Sequence, residues 1–303
     1  MISFRYHLVS IVAVFLALAL GVVMGTTVVK QGVIDQLRSR TDNAVATTHR
    51  LQGEVNQLQG ELRTDQGFTQ QAQSLLVSER LAGQEVVMVT VDGVDASEID
   101  GVRRTIEQSG AKVVSVLAVT LRMALSNATE QTDMAAVLGV PAASPAALSA
   151  RAAQTLGLRL AAGPPTSGVD PLQQFMDHGF VALRGGTGSP QTIATPGQAF
   201  VVMAGGSVAA PVDPKGFLLP VLTQIVDANR PVVTAEPAAT TYEFVSLIRD
   251  DGALNNRLVT VDDADTVPGR VAVVLGMQNL IQNPERGGNY GVKAGATGLI
   301  PTT

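Results

Sequence analysis

The residues that could bind a transition metal are few and lie far apart in this chain. The 303-residue sequence has no cysteine, three histidines and eight methionines. His7, His49 and His178 fall in three different segments, and the methionines form no close pairs. Soft metals are held by imidazole, thiolate and thioether groups that converge on one point. The residues alone therefore predict no metal site, and the lack of cysteine excludes disulfides, iron–sulfur clusters and thiolate sites.

Three carboxylates that follow predicted strands form a second candidate site. Asp92 ends the run "EVVMVTVD", and Asp262 and Asp263 end the run "RLVTVDD". Strand ends of a parallel sheet share one edge, so these side chains could meet there, and a rim of carboxylates can bind a cation. The competing interpretation is ordinary turn chemistry, in which Asp bonds to nearby main-chain groups.

Sequence patterns typical of nucleotide binding and of serine hydrolases are missing. Neither a Gly-x-Gly-x-x-Gly loop nor a Walker A loop follows the first strand, and there is no Gly-x-Ser-x-Gly elbow. The glycine-rich stretches 183–190 and 203–207 are predicted as turns, although the second ends a strand where α/β folds bind ligands. His178 is predicted to cap a helix end. The sequence predicts no cofactor and no enzymatic activity.

The elements that would position these residues alternate between short apolar strands and helices over residues 84–283. A Ser97 cap and Pro268 mark the starts of two helices, and the alanine-rich stretch 121–196 is predicted to be mainly helical. This alternation predicts an α/β domain with a doubly wound parallel sheet of the Rossmann or flavodoxin type. Residues 284–303 are predicted to form a flexible tail. The five predicted strands are "EVVMVTVD", "AKVVSVLAV", "AFVVMAGG", "PVVTAEP" and "RLVTVDD".

A coiled-coil stalk is predicted before this domain, over residues 31–82, which contain no proline. Apolar residues keep a heptad register, which Asp65 interrupts, and glycines seven residues apart fall on the outer face. The pattern favours a parallel dimer or trimer, and the alternative is a helix that packs on its own globular domain. The seam comprises Ile34, Leu37, Thr41, Ala44, Thr48, Leu51, Val55, Leu58 and Leu62.

The stalk follows an uncharged segment from Leu8 to Val29, preceded by a short tail, 1–7. As a helix its 22 residues would be about 33 Å long, enough to cross a bilayer core of about 30 Å. We expect an uncleaved transmembrane helix with a cytoplasmic amino terminus, and the alternative is a signal peptide cleaved after Gly25. Gly21 and Gly25 have the spacing that allows two membrane helices to pack closely.

The overall charge argues against nucleic acid as a partner. The chain carries 21 Lys and Arg against 26 Asp and Glu, a formal net charge of −5. Binding to nucleic acid depends largely on a basic surface that neutralises phosphates. We therefore expect the partners to be the membrane and further copies of this chain, with a protein of the envelope or of cell division as a further candidate.

The two ends of the chain resemble a known family. The start "MISFRYHLVSIVAVFLALALGVVMG" and the ending "TVDDADTVPGRVAVVLGMQNLI" with "GGNYG" are similar to the mycobacterial copper transport protein B (MctB) family of actinobacterial cell-envelope proteins. The resemblance implies a membrane-anchored envelope protein in copper efflux or homeostasis, with most of the chain outside the cytoplasm. Family members are described as channel-forming.

The same resemblance also implies an alternative, a non-catalytic scaffold that binds a protein partner in septal cell separation. Family members carry histidines near the tail, whereas residues 287–298 contain none here. No copper ligand is therefore assigned by the resemblance, and copper is implied by the family alone. A single membrane helix also cannot enclose a channel unless several copies assemble.

Overall fold

A computed structural model describes residues 4–206, 210 and 212–302, and their side chains except those of residues 4, 5 and 26–35. The chain divides into two compact units, Met1–Gly67 and Phe68–Thr303. The first unit is helical. The second unit contains the α/β domain, which we call the body.

The first helix, α1, runs from Phe4 to Val77 and includes both the predicted membrane segment and most of the predicted stalk. It ends before residue 82, where the stalk was predicted to end, because the chain turns into the first strand. Within the second unit, the end of α1 packs on the body. Val77 is fully buried, and the Gln73 amide donates to the Thr105 hydroxyl at 3.0 Å.

The body is built on one seven-stranded sheet with the order β3-β2-β1-β4-β5-β6-β7. Neighbouring strands are parallel except β3, which runs antiparallel to β2. The order reverses between β1 and β4, as in doubly wound folds. The predicted α/β fold class is thus confirmed. The strands are β1 Glu85–Val91, β2 Lys112–Val119, β3 Val181–Gly186, β4 Ala199–Met203, β5 Val232–Ala235, β6 Val259–Val261 and β7 Gly288–Tyr290.

Helices cover both faces of this sheet, which explains why its strands are apolar without alternation. The end of α1, α2 and α8 pack on one face, and α3 to α7 pack on the other. In β1, for example, Val87 and Val89 contact one core while Val86 and Met88 contact the other. The helices are α2 Ala96–Gln108, α3 Ala128–Leu138, α4 Pro145–Ala162, α5 Pro171–Asp177, α6 Leu219–Asp227, α7 Phe244–Arg249 and α8 Val267–Gln282.

Two strands lie in segments for which the sequence predicted other structure. β3 occupies much of the glycine-rich stretch 183–190 that was predicted as a turn, and it lies inside the region predicted as mainly helical. Its Gly186 has a φ of +88° and lies against the main chain of β2, so only glycine fits there. β7 lies within 284–303, so residues 288–290 of the predicted flexible tail are part of the sheet.

The predicted helix starts are right in position, and one predicted cap is wrong. Pro268 lies in the first turn of α8, as predicted, with Thr266 as its N-cap. The N-cap of α2 is Asp95, two residues before the predicted Ser97, and its carboxylate accepts a hydrogen bond from the Ser97 main-chain N–H at 2.7 Å. His178 is the C-cap residue of α5, as predicted.

Candidate functional site

The predicted carboxylate rim forms only in part. Asp262 and Asp263 follow β6 at the carboxyl edge of the sheet, where Glu236 follows β5, and all three are buried. Asp92 follows β1 and makes other contacts. Its carboxylate accepts from the Arg184 guanidinium and from the Leu121 main-chain N–H, both at 3.3 Å.

Two buried ion pairs dominate this edge, and we call their four residues, Glu236, Arg249, Asp262 and Lys293, the tail clamp. Arg249, the last residue of α7, donates to Asp262 Oδ2 at 2.6 Å. Lys293 Nζ donates to Glu236 Oε1 at 2.8 Å. The clamp therefore joins α7 and the ends of β5 and β6 to the segment after β7.

The two carboxylates of the tail clamp have all four oxygens occupied by hydrogen bonds. Asp262 Oδ1 accepts from the main-chain N–H groups of Val292 and Lys293 at 2.6 and 3.0 Å. Glu236 Oε2 accepts from the first two N–H groups of α7 at 2.7 and 3.0 Å. Burial raises the pKa of Glu236, and the hydrogen bond from Lys293 opposes this rise. These carboxylates therefore act as structural acceptors, through partners that are distant in the chain and not through the local turn that was the competing interpretation.

Arg249 completes the attachment of the segment after β7. Its remaining N–H groups donate to the Thr260 hydroxyl at 3.0 Å and to the main-chain oxygens of Tyr290 and Ala294 at 2.9 and 3.0 Å. A buried guanidinium that bonds in several directions fixes the backbone around it. Two of these bonds join Arg249 to residues that follow it by more than forty positions in the chain.

Asp263 differs from its neighbour because one of its oxygens is left without a partner. Its side chain is buried, Oδ2 accepts from the Thr266 hydroxyl at 3.1 Å, and Oδ1 has no hydrogen-bond partner among the described residues. Burial raises the pKa of Asp263, and the charges of Asp262 and Asp265 add to this rise although the bond from Thr266 opposes it.

A metal centre does not form in the part of the chain that the structure describes. Within it, no group of three or more His, Cys, Asp or Glu side chains is placed so that it could hold a metal ion. His7 and His49 lie on α1 and His178 lies in the body after α5. The residues present therefore do not fit a copper site of the kind that converging imidazoles would make.

The described side chains of the predicted membrane segment, residues 8–25, are exposed in the first unit, and those of residues 26–29 lie outside the described residues. Residues Tyr6–Gly25 form a helical stretch of 20 residues that is long and apolar enough to cross a membrane. A side chain added at Gly21 or Gly25 would meet nothing within 4 Å. Both glycines therefore leave open space on the helix surface, which a neighbouring helix could enter.

The predicted heptad seam also lies on an exposed helix. Leu37, Leu51, Val55, Leu58 and Leu62 are between 46% and 63% exposed, and the side chain of Ile34 lies outside the described residues. The hydroxyls of Thr41 and Thr48 donate to main-chain oxygens four residues earlier, at 2.9 and 2.8 Å. Because these hydroxyls are already bonded, the two threonines weaken an apolar seam less than free hydroxyls would.

Two residues of this carboxyl edge were predicted from the sequence, and three were missed. Asp262 and Asp263 were predicted from their positions after a strand. Glu236 also follows a strand, in "PVVTAEP", so the same signal could have found it. Arg249 and Lys293 carry no local signal, because their partners lie 13 and 57 residues away in the chain.

Comparison with known proteins gives matches over nearly the whole chain. A family model described as "Copper transport outer membrane protein, MctB" matches residues 1–301. A protein named copper transporter MctB from Mycobacterium tuberculosis (strain ATCC 25618 / H37Rv) is 28% identical over 313 residues, 98% of each chain. The protein of that name from Mycobacterium leprae (strain TN) is 25% identical over 317 residues, 99% of each chain.

We predict that Arg249→Met lowers the free energy of unfolding by about 3–5 kcal/mol, because it leaves the Asp262 carboxylate buried and unpaired. Denaturant unfolding of the full chain in detergent micelles measures this. The matched control is Arg257→Met, which removes an exposed pair with Asp227 and should cost less than about 1 kcal/mol. Equal losses in the two variants would contradict the assigned role of the tail clamp.

We predict that Asp263→Asn changes how stability depends on pH. The pKa of Asp263 is raised in the folded state, so the free energy of unfolding falls as pH rises from its ordinary pKa through the folded-state pKa. An amide cannot ionise and avoids this loss, so the free energy of unfolding of the variant, relative to that of the parent, should rise between pH 4 and pH 7. Unfolding at both pH values measures the difference, and the exposed Asp250→Asn is the control. A gain of the same size in the free energy of unfolding at pH 4 would contradict this explanation.

Proposed function

The chain belongs to the MctB family, and from this premise we propose that it is a membrane-anchored, self-associating envelope protein that acts in copper homeostasis. The observation that carries the proposal is the extent of the family match. It runs from the apolar segment at the start to the segment held by the tail clamp. The anchor, the exposed seam and the body are therefore all within the matched region.

The proposed anchor is the stretch Tyr6–Gly25, which is apolar throughout. The description of the family as a membrane protein is compatible with this anchor. We propose that it crosses the cell membrane once, with its amino terminus in the cytoplasm and the bulk of the chain outside. This orientation puts the stalk and the body on the outer side of the membrane, where an envelope protein meets its partners.

Self-association is proposed from the exposed seam. Five large apolar side chains that recur at heptad spacing lie in solvent on one helix, and a second copy of the helix would bury them. Gly21 and Gly25 support close helix packing at the level of the membrane. Both features favour a parallel dimer or trimer, and this arrangement leaves the body free to face outwards.

Copper is cargo in this proposal, and no ligands in this chain are assigned to it. The described residues form no cluster that fits a copper ion, so no coordination step is derived. The tail clamp uses its carboxylates for structure. The proposed role is therefore a non-catalytic one in copper handling, in which assembly at the membrane precedes any contact with the metal or with a partner.

Deletion of the gene in its native host should make growth sensitive to copper and leave sensitivity to zinc unchanged. Expression of the full chain should restore growth, whereas a chain without residues 1–25 should not, because it lacks the anchor. Growth across a copper series measures this. Unchanged copper tolerance together with chained, unseparated cells would refute the copper role and favour a scaffold in septal cell separation.

We predict that Leu51→Cys forms a disulfide-linked dimer in membranes under mild oxidation, since parallel seams place the two copies of this position side by side. The matched control is Ala46→Cys, which lies on the outer face of the same heptad register. The parent chain has no cysteine, so any cross-link arises from the introduced residue. Denaturing electrophoresis without reductant measures the yield. Equal cross-linking of both variants would count against the predicted register.

A further inference from the structure

A polar groove runs along one face of α2 in the body, and neither the family match nor the proposed function assigns it a role. Glu98, Gly101, Arg104 and Gln108 recur at three- and four-residue spacing along its floor. Asp265, which precedes α8, and Arg270, in the first turn of α8, also line the groove. We call this the α2 groove. Its volume is about 530 Å³, within the range of small-ligand pockets.

One end of the α2 groove is acidic. Glu98 is half-buried, and its Oε2 atom is buried with no hydrogen-bond partner among the described residues. Burial raises the pKa of Glu98, and the charges of Asp265 and Asp95 act in the same direction. An acceptor left unbonded beside like charges is costly to the protein, and it suits a ligand that brings N–H donors and positive charge.

The middle of the groove carries two guanidinium groups close together. Gly101 lets the Arg270 side chain cross α2 closely, since a Cβ at Gly101 would lie 3.4 Å from Arg270 Cδ. Burial lowers the pKa of Arg270, and although Asp265 opposes this, the positive charge of Arg104 adds to it. The two groups are therefore near enough for their charges to repel one another.

Main-chain oxygens orient both guanidinium groups without neutralising them. Arg270 Nη1 donates to the Asp265 main-chain oxygen at 2.7 Å, and Arg104 Nε donates to that of Asp100 at 3.1 Å. Among the described residues neither group forms an ion pair with a carboxylate. The adjacent Arg103 contrasts with them, because it pairs with Asp100 and with Glu107. Arg104 and Arg270 therefore keep N–H groups available for an anion.

We propose that the α2 groove binds a short zwitterionic peptide, with its ammonium group on Glu98, its carboxylate on Arg104, and Arg270 between them against a peptide carbonyl oxygen. Glu98 and Arg104 are six residues apart, about 9 Å along the helix axis, which is the length of an extended di- or tripeptide. The remaining lining groups are amides and hydroxyls of Gln, Ser and Thr, and Gln73 already bonds Thr105 and Gln108. Peptide binding here is independent of the copper role.

Calorimetry on the full chain in detergent micelles tests the ligand class. The probes are trialanine, N-acetyl-trialanine, trialanine amide and inorganic phosphate. Trialanine should bind, and removal of either terminal charge should weaken binding by about tenfold or more, because each charge makes its own charge-assisted hydrogen bonds. No heat with trialanine would overturn the proposal. Phosphate binding as tight as that of trialanine would also overturn it, because it would indicate an anion site alone.

Variants assign the two ends of the peptide. Arg270→Gln and Arg104→Gln should each weaken trialanine binding by about tenfold, since Arg104 donates to the carboxylate and Arg270 donates to a peptide carbonyl oxygen. Glu98→Gln should weaken trialanine binding and leave that of the N-acetyl peptide unchanged. The matched control is Arg151→Gln, an exposed arginine on α4, which should bind as the parent does. Arg104 is itself exposed, so its variant tests the site even if Arg270→Gln does not fold. Full trialanine affinity in both arginine variants would refute the site.

Discussion

Burial of both faces of one parallel sheet is the constraint on which the rest of the body depends. A central strand such as β1 can carry no polar side chain on either face without a buried partner. The ionisable groups that are buried lie where they can find such partners, as Arg159 on α4 does with Asp170. At the carboxyl edge, loops and helix starts leave Glu236, Asp262 and Asp263 enclosed. The tail clamp lowers the cost of burying these carboxylates, because Arg249 and Lys293 neutralise two of the three.

Strands whose pattern is visible in a short stretch of sequence could be predicted, and strands without such a pattern could not. The runs "EVVMVTV" and "KVVSVLAV" are long and apolar, so periodicity alone identifies β1 and β2. β3 contains Arg184 and two glycines, and β7 is the polar tripeptide Gly288–Tyr290, so neither has a strand pattern. These two strands exist because neighbouring strands offer them hydrogen bonds. That information lies in the three-dimensional structure and in no short window of sequence.

The same distinction applies to the candidate sites. Asp262 and Asp263 were found because carboxylates at strand ends have a known geometric consequence. Their different roles were not foreseen, since Asp262 is fully bonded whereas Asp263 has an unbonded oxygen. The α2 groove was also missed. Its residues come from α2, from α8 and from the end of α1, and each of these helices has an ordinary amphipathic or apolar pattern when taken alone.

The position of Lys293 in the chain has a consequence for biosynthesis. Glu236 is the first member of the tail clamp to be made, and the lysine that neutralises it is made 57 residues later. Domains generally fold as units, so the body can reach its final state only after residue 293 has been made. A chain interrupted before that point would retain an uncompensated buried acid, which destabilises the incomplete product.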